Sequence, residues 1–318
     1  MSDVVVLGGG SGGYAAAFRA AQLGLSVTLV EKDKVGGTCL HRGCIPTKAL
    51  LHAAEVADTA RESSSVGVRA NFEGIDIAGV HAYKDGVVSK LYKGLQGLVK
   101  AHQIEFISGT GKYVGNKTVD VDGRRITGSS VVLATGSYAK VLPGIELGPR
   151  VLTSDQALTL DYVPKRAIVL GGGVIGVEFA SVWASFGVEV TIVEALPRLV
   201  AAEDEWASKQ LTRAFKKRGI APRTSSPFTG VKETPDGVTV TLDSGETLDA
   251  DVLLVAVGRG PTTSDLGGVS MDSGFVGVDG NLMTSDDGVY AVGDIVRGPQ
   301  LAHRGFQHGI FVAEHIAV

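Results

Sequence analysis

Residues 4–31, VVVLGGGSGGYAAAFRAAQLGLSVTLVE, can be laid over residues 167–194, AIVLGGGVIGVEFASVWASFGVEVTIVE, at a constant offset of 163 without a gap, and 13 of the 28 positions are identical. Each copy reads as a β-branched strand, a glycine-rich turn, a helix with small residues on its inner face, a glycine at the helix end and a second strand closing on an acid. A chain that repeats such a unit builds two α/β domains in tandem. Glycine supplies 44 of the 318 residues and gathers at these strand-to-helix turns, where a missing Cβ lets backbone approach backbone or a ligand.

The first copy carries Gly8, Gly10, Gly13 and Glu31; the second carries Gly171, Gly173, Gly176 and Glu194. In this pattern the first glycine makes the tight turn. The second lets a pyrophosphate reach backbone N–H groups at a helix N-terminus, and the third lets helix pack on strand. The acid, 18 residues after the third glycine in both copies, suits the hydroxyls of a ribose. One GxGxxG is weak evidence; two, each with strand before, helix after and acid at equal spacing, are strong.

Between the copies, Ile104–Ser108, Tyr113–Val114, Thr118–Val121 and Arg125–Thr127 read as short strands, followed by the apolar strand 131–133. After the second copy, Val231–Lys232 and Val238–Leu242 precede Asp251–Val257 in the same way. Each nucleotide unit therefore carries an antiparallel insertion and a returning strand. The stretch 203–218 reads as a helix with acids first, bases last and Gly219 beyond, so its Lys216-Lys217-Arg218 cluster answers the helix dipole. Val289–Val292 and a helix from about His303 belong by pattern with a nucleotide domain.

With 30 Lys+Arg against 34 Asp+Glu, the net charge of −4 argues against nucleic-acid binding driven by bulk charge. The longest uncharged stretch, Val4–Phe18, is too short for a membrane span of about 20 residues. A strand starting next to Met1 leaves no room for a signal peptide, and a cytoplasmic location is expected.

The two cysteines, Cys39 and Cys44, share one six-residue segment, which reads as redox or metal chemistry rather than a structural staple. Zinc would need further ligands, and the seven histidines offer no finger-like spacing. Two inert buried thiols are the remaining alternative. A straight helix would part the two residues by about 7.5 Å along its axis, so a bridge between them requires a distorted helix start, for which Gly43 gives slack. Cys44 lies where a helix begins and the dipole favours thiolate; Cys39 lies on a looser upstream segment.

The segments GGGSGG, GGTCLHRGCIPTKALL, VVLATG, GGGVIGVEFA, VAVGR, VYAVGD and LAHRGFQHGIFVAEHI together resemble the flavoprotein pyridine nucleotide-disulfide oxidoreductases, and within them the dihydrolipoyl dehydrogenase subgroup, over essentially the whole chain. The resemblance implies two Rossmann-like domains, FAD first and NAD second. Residues 1–147 would form the FAD-binding domain with a redox disulfide, 148–272 the NAD-binding domain, and 273–318 the return to the FAD domain. It implies FAD contacts from Gly8, Gly10, Gly13, Glu31, Gly37, Thr38, Lys48, Gly111, Thr135, Gly136, Ser137, Asp294, Leu301, Ala302 and His303. NAD contacts would come from Gly171, Gly173, Gly176, Glu178, Glu194 and Gly258, and Glu194, with no arginine cluster in its place, favours NAD over NADP.

The chemistry so implied is a relay from a dihydrolipoyl dithiol through Cys39–Cys44 and FAD to NAD, with Lys48 paired to Glu178 beside the flavin. The partners would be dihydrolipoyl groups of 2-oxoacid dehydrogenase complexes. Members of the family continue into an interface domain that forms a homodimer and brings a catalytic His–Glu pair. The sequence stops at Val318, before that region, so a truncated form is expected and no catalytic histidine is assigned. The alternatives are a flavoprotein module passing electrons from NADH only to small acceptors, or another disulfide reductase of the same family. His41-Arg42 between the cysteines is less usual for the family.

Overall fold

The computed structural model describes residues 2–318. The chain divides into two compact units. One holds residues up to His41, Val88–Tyr138 and Arg259–Val318; the other holds Arg42–Val87 and Ala139–Gly258.

The first unit is built on a seven-stranded sheet. Strands β1 (Ser2–Leu7), β2 (Val27–Glu31), β3 (Glu105–Ser108), β4 (Gly111–Tyr113), β5 (Thr118–Val121) and β6 (Arg124–Leu133) lie in the order β3-β2-β1-β6-β5-β4, and strand Val289–Ala291 also pairs with β6. Val4–Leu7 of β1 are buried on successive positions, as expected of a parallel strand covered on both faces. Helix α1 (Ser11–Gln22) follows β1 and packs along the last helix of the chain, Ala302–Ile316.

In the second unit, β7 (Val151–Thr153), β8 (Arg166–Leu170), β9 (Glu189–Val193), β10 (Ala221–Arg223) and β14 (Val252–Val255) form a parallel sheet in the order β10-β9-β8-β14-β7. Strands β11 (Phe228–Thr234), β12 (Gly237–Leu242) and β13 (Thr247–Ala250) make a separate antiparallel sheet. The two parallel arrangements match strand for strand around the repeat: β3-β2-β1-β6 against β10-β9-β8-β14.

The local reading needs three corrections. Arg125–Thr127 and 131–133 are parts of one ten-residue strand, β6, which pairs antiparallel with β5 at its start and parallel with β1 further along. Cys39 sits in a short helix, α2 (Gly37–His41), rather than on a loose segment. A 25-residue helix, α4 (Ile77–Ala101), stands where no element was read, because its glycines and valines dilute the helical pattern. Helix α3 is Cys44–Glu62 and α5 is Ser154–Ala157. Helix α6 is Val174–Ser185, α7 is Glu205–Lys217 and α8 is Ala302–Ile316. No helix among the described residues is long and apolar enough to cross a membrane.

Candidate active site

The repeat seen in sequence holds at the level of atoms. Gly8 and Gly171 turn the chain at φ +105° and +108°. A Cβ on Gly8 would lie 2.2 Å from the Ala134 carbonyl oxygen, and one on Gly171 would lie 2.4 Å from that of Ala256. Gly13 and Gly176 stand so close to these turns that a Cβ would meet the Gly8 and Gly171 oxygens at 1.8 and 2.0 Å. Only glycine lets strand, turn and helix approach this closely.

The acids complete each turn. Glu31 accepts the Gly9 N–H at 2.7 Å and the Asp33 N–H at 2.9 Å. Glu194 accepts the Gly172 N–H at 2.6 Å and the Leu196 N–H at 2.8 Å. Each oxygen of each carboxylate is thus anchored by one backbone donor, and each retains lone-pair capacity for a ribose hydroxyl. Gly10 and Gly173 are the N-cap residues of α1 and α6, so no side chain caps either N-terminus. The turn, the helix N-terminus and the fixed acid together fit a dinucleotide in both units.

What lies over the two turns differs. Gly37 opens α2 so close to the first turn that its Cβ would be 2.5 Å from the Gly10 Cα, whereas a Cβ on Gly173 would meet nothing within 4 Å. Thr38 and Cys39 follow Gly37 on α2. The His41 Nε2 donates to the Val35 carbonyl at 2.9 Å and its ring stands edge-on to Tyr92, centroids 5.0 Å apart. His41 thereby ties the end of α2 to the turn before it.

Cys44 is the first residue of α3, after Gly43, whose carbonyl accepts both the N–H and the hydroxyl of Thr47. Both sulfurs belong to half-buried residues. A thiol at the head of a 19-residue helix feels the positive end of its dipole, which favours thiolate. One turn on, the Lys48 Nζ donates to the Glu178 Oε1 of α6 at 2.5 Å. Lys48 remains accessible, and Glu178 is less so.

A second cluster involves Asp294, which follows strand Val289–Ala291 in a turn of 3-10 helix. The Ser137 hydroxyl donates to its Oδ2 at 2.5 Å, and Arg259 donates to the Ser137 hydroxyl and carbonyl at 2.7 Å each. Thr135 donates to the Thr262 carbonyl at 2.6 Å, and Gly136 turns at φ +74°. The Gly293 N–H donates to the His308 Nδ1 at 3.3 Å, and burial, then Arg304, holds the His308 pKa below its ordinary value. Leu301 caps α8, with Ala302 and the exposed His303 in its first turn.

Gly111 starts β4, where a Cβ would press on Leu7 and Val30; its absent side chain serves packing. Gly258, at φ +104°, accepts the Lys140 N–H. Arg259, His308 and the glycines Gly305 and Gly309 escaped the sequence reading. The two glycines, four residues apart on one helix, carry the signal of a close helix contact.

The family model described as pyridine nucleotide-disulphide oxidoreductase matches residues 2–309. Dihydrolipoyl dehydrogenases of Thermus scotoductus and Bacillus subtilis are each 40% identical, the alignments covering 99% of this chain and 70% and 71% of theirs. Among solved structures, LpdA from Mycobacterium tuberculosis superimposes with a TM-score of 0.92 at 27% identity, over 99% of this chain and 72% of that one. The flavoprotein disulfide reductase RclA of Escherichia coli gives 0.85 at 29% identity, over 96% and 69%.

Proposed function

The chain belongs to the pyridine nucleotide-disulphide oxidoreductase family, and from that premise we propose that it is the electron relay of a dihydrolipoyl dehydrogenase. Residues 1–147 and 273–318 serve FAD, and residues 148–272 serve NAD. The observation carrying this reading is the pair of glycine turns with matching acid anchors, the first of them met by Gly37, which opens a helix that bears Cys39 and is followed by a helix headed by Cys44.

When bound, FAD supplies the two-electron carrier between the cysteine pair and NAD. The protein's residues do the rest. In the disulfide form, a thiolate of the dihydrolipoyl group attacks Cys39, forming a mixed disulfide and releasing Cys44 as thiolate. The second substrate thiolate then displaces Cys39, so the substrate leaves as a disulfide and the two cysteines hold its two electrons. The helix dipole at Cys44 stabilises the released thiolate. Glu178 holds the Lys48 ammonium beside the first turn of α3, and Asp294, braced by Ser137 and Arg259, presents a fixed acceptor. The partners so read are dihydrolipoyl groups of 2-oxoacid dehydrogenase complexes, with a homodimer as in the family.

About 30% of the relatives' length has no counterpart in these 318 residues. A second reading is a flavoprotein module that passes electrons from NADH only to small acceptors. The absorption spectrum of the purified chain tests flavin binding, and NADH-dependent reduction of lipoamide and of a dye separates the readings. A colourless protein without either activity refutes both.

A further inference from the structure

The two repeats brace their turns with the same bond from different residues. In the first, Gly36 donates its N–H to the Gly9 carbonyl at 2.7 Å, from φ +119°. In the second, the N–H reaching the equivalent Gly172 carbonyl, again at 2.7 Å, comes from Val200 at φ +43°. A β-branched residue is strained in the left-handed region because its side chain crowds the backbone. Such a conformation persists only where the surroundings over-determine it.

Arg198 does so here. Its guanidinium donates to the carbonyls of Ala201 at 2.7 Å, Glu203 at 2.9 Å and Val200 at 3.5 Å. The Glu203 N–H returns to the Val200 carbonyl at 2.8 Å. On the inner side, Val200 is buried, and the Leu199 Cδ2 sits 2.6 Å from where a Gly172 Cβ would be. The loop is therefore pressed onto the turn from one side and gripped from the other, and Gly172 itself donates to Glu194.

We propose that Arg198 is a positioning residue for the second dinucleotide turn: gripping three carbonyls, it keeps Val200 in the conformation whose N–H fixes Gly172, and so sets the affinity for the nicotinamide coenzyme. The inference rests on reading the second repeat as the NAD site. A planar fork suits this grip, and an ammonium, a single point charge, does not.

The test measures the NADH dissociation constant of the purified flavoprotein by coenzyme fluorescence, with flavin content and melting temperature on the same samples. Arg198→Met is expected to weaken NADH binding about tenfold, the scale of a lost charged hydrogen bond, with flavin content unchanged. Adding Val200→Gly supplies a residue that adopts the left-handed region unaided. R198M/V200G is expected to regain most of the affinity while melting lower than R198M, because a buried side chain is gone. General damage would worsen both quantities together. Arg198→Lys keeps the charge without the fork, is expected to bind NADH more weakly than wild type, and carries the test should R198M fail to fold. Wild-type affinity in R198M or R198K, or a double variant no better than R198M, overturns the role of Arg198. A wild-type protein that binds no NADH overturns the coenzyme reading, and this inference with it.

Discussion

Replacing Gly309 by alanine tests how the first dinucleotide turn is held. Helix α1, which begins at that turn, packs on α8 through glycines: a Cβ on Gly309 would lie 2.2 Å from the Gly12 carbonyl oxygen and 2.8 Å from the Ala16 nitrogen. Restoring a contact of 3.4 Å requires the helices to part by 3.4 − 2.2 = 1.2 Å. The obstacle is backbone and cannot swing aside, so the overpacking cost falls toward the upper part of about 1–3 kcal/mol. Alanine in a helix interior returns up to about 1 kcal/mol. The net is a loss of about 1–2 kcal/mol, or several degrees at roughly 2–4 °C per kcal/mol for domains of this size. Gly86→Ala in α4 is the control, because nothing lies within 4 Å of its Cβ; it is expected to stabilise by about 0.5–1 kcal/mol. Thermal melts followed by flavin release would rank the proteins G86A, wild type, G309A. A G309A protein that melts with or above G86A refutes the tight contact.

Two-electron reduction of the flavoprotein is expected to give a thiolate–flavin charge-transfer absorbance that Cys44→Ser abolishes and Cys39→Ser keeps; a band that survives in C44S reverses the roles of the sulfurs. Lys48 and Glu178 have side chains 59% and 30% exposed, so solvent screening leaves their pair worth about 0.2–1 kcal/mol. Glu178→Gln should therefore melt within a few degrees of wild type while NADH-dye reduction falls about tenfold, equivalent to roughly 1.4 kcal/mol of barrier; a large melting shift at normal rate would make the pair purely structural. Burial, then Arg304, holds the folded His308 pKa below its ordinary value of 6.5, so as pH falls below 6.5 the unfolded chain takes the proton first. The stability His308 contributes is present above pH 6.5 and is lost as pH falls through its folded pKa. Glutamine still accepts from Gly293 but does not titrate, so His308→Gln should flatten the acid limb of urea midpoints measured across pH. An unchanged limb removes His308 from the acid response.

The parts legible in sequence are those whose causes are local. Gly8, Gly13, Gly171 and Gly176 are demanded by contacts within a few residues or with one neighbouring strand end, and Glu31 and Glu194 reach back to turns in their own repeat. Helix α7 was legible for the same reason, since Asp204 caps it by accepting the Trp206 N–H and Lys216-Lys217 close it. What stayed hidden depends on distant chain. The Arg259–Ser137–Asp294 cluster joins residues more than a hundred positions apart. Helix α4 has weak helical propensity and is held by tertiary packing, with Leu95 and Val99 buried and the buried Lys84 bonded to the Leu158 carbonyl. Strand β6 runs on across Gly128 because Val4–Leu7 and the hairpin strand β5 pair with its successive parts.

The repeat makes two turns from one local plan, and the difference in what covers them matches what the relay proposed above would require of its two nucleotides. Gly37 presses on Gly10, and α8 presses on Gly12, so the first turn is closed over by chain. The second leaves nothing within 4 Å of a Gly173 Cβ, and Val174, next in the chain, is half exposed. A resident group is served by enclosure, because every contact that excludes water slows its escape; a substrate that must leave each cycle is served by an open turn. The enclosing residue is also the first of the helix that carries Cys39. Closing the first turn and carrying a sulfur thus fall to one short helix.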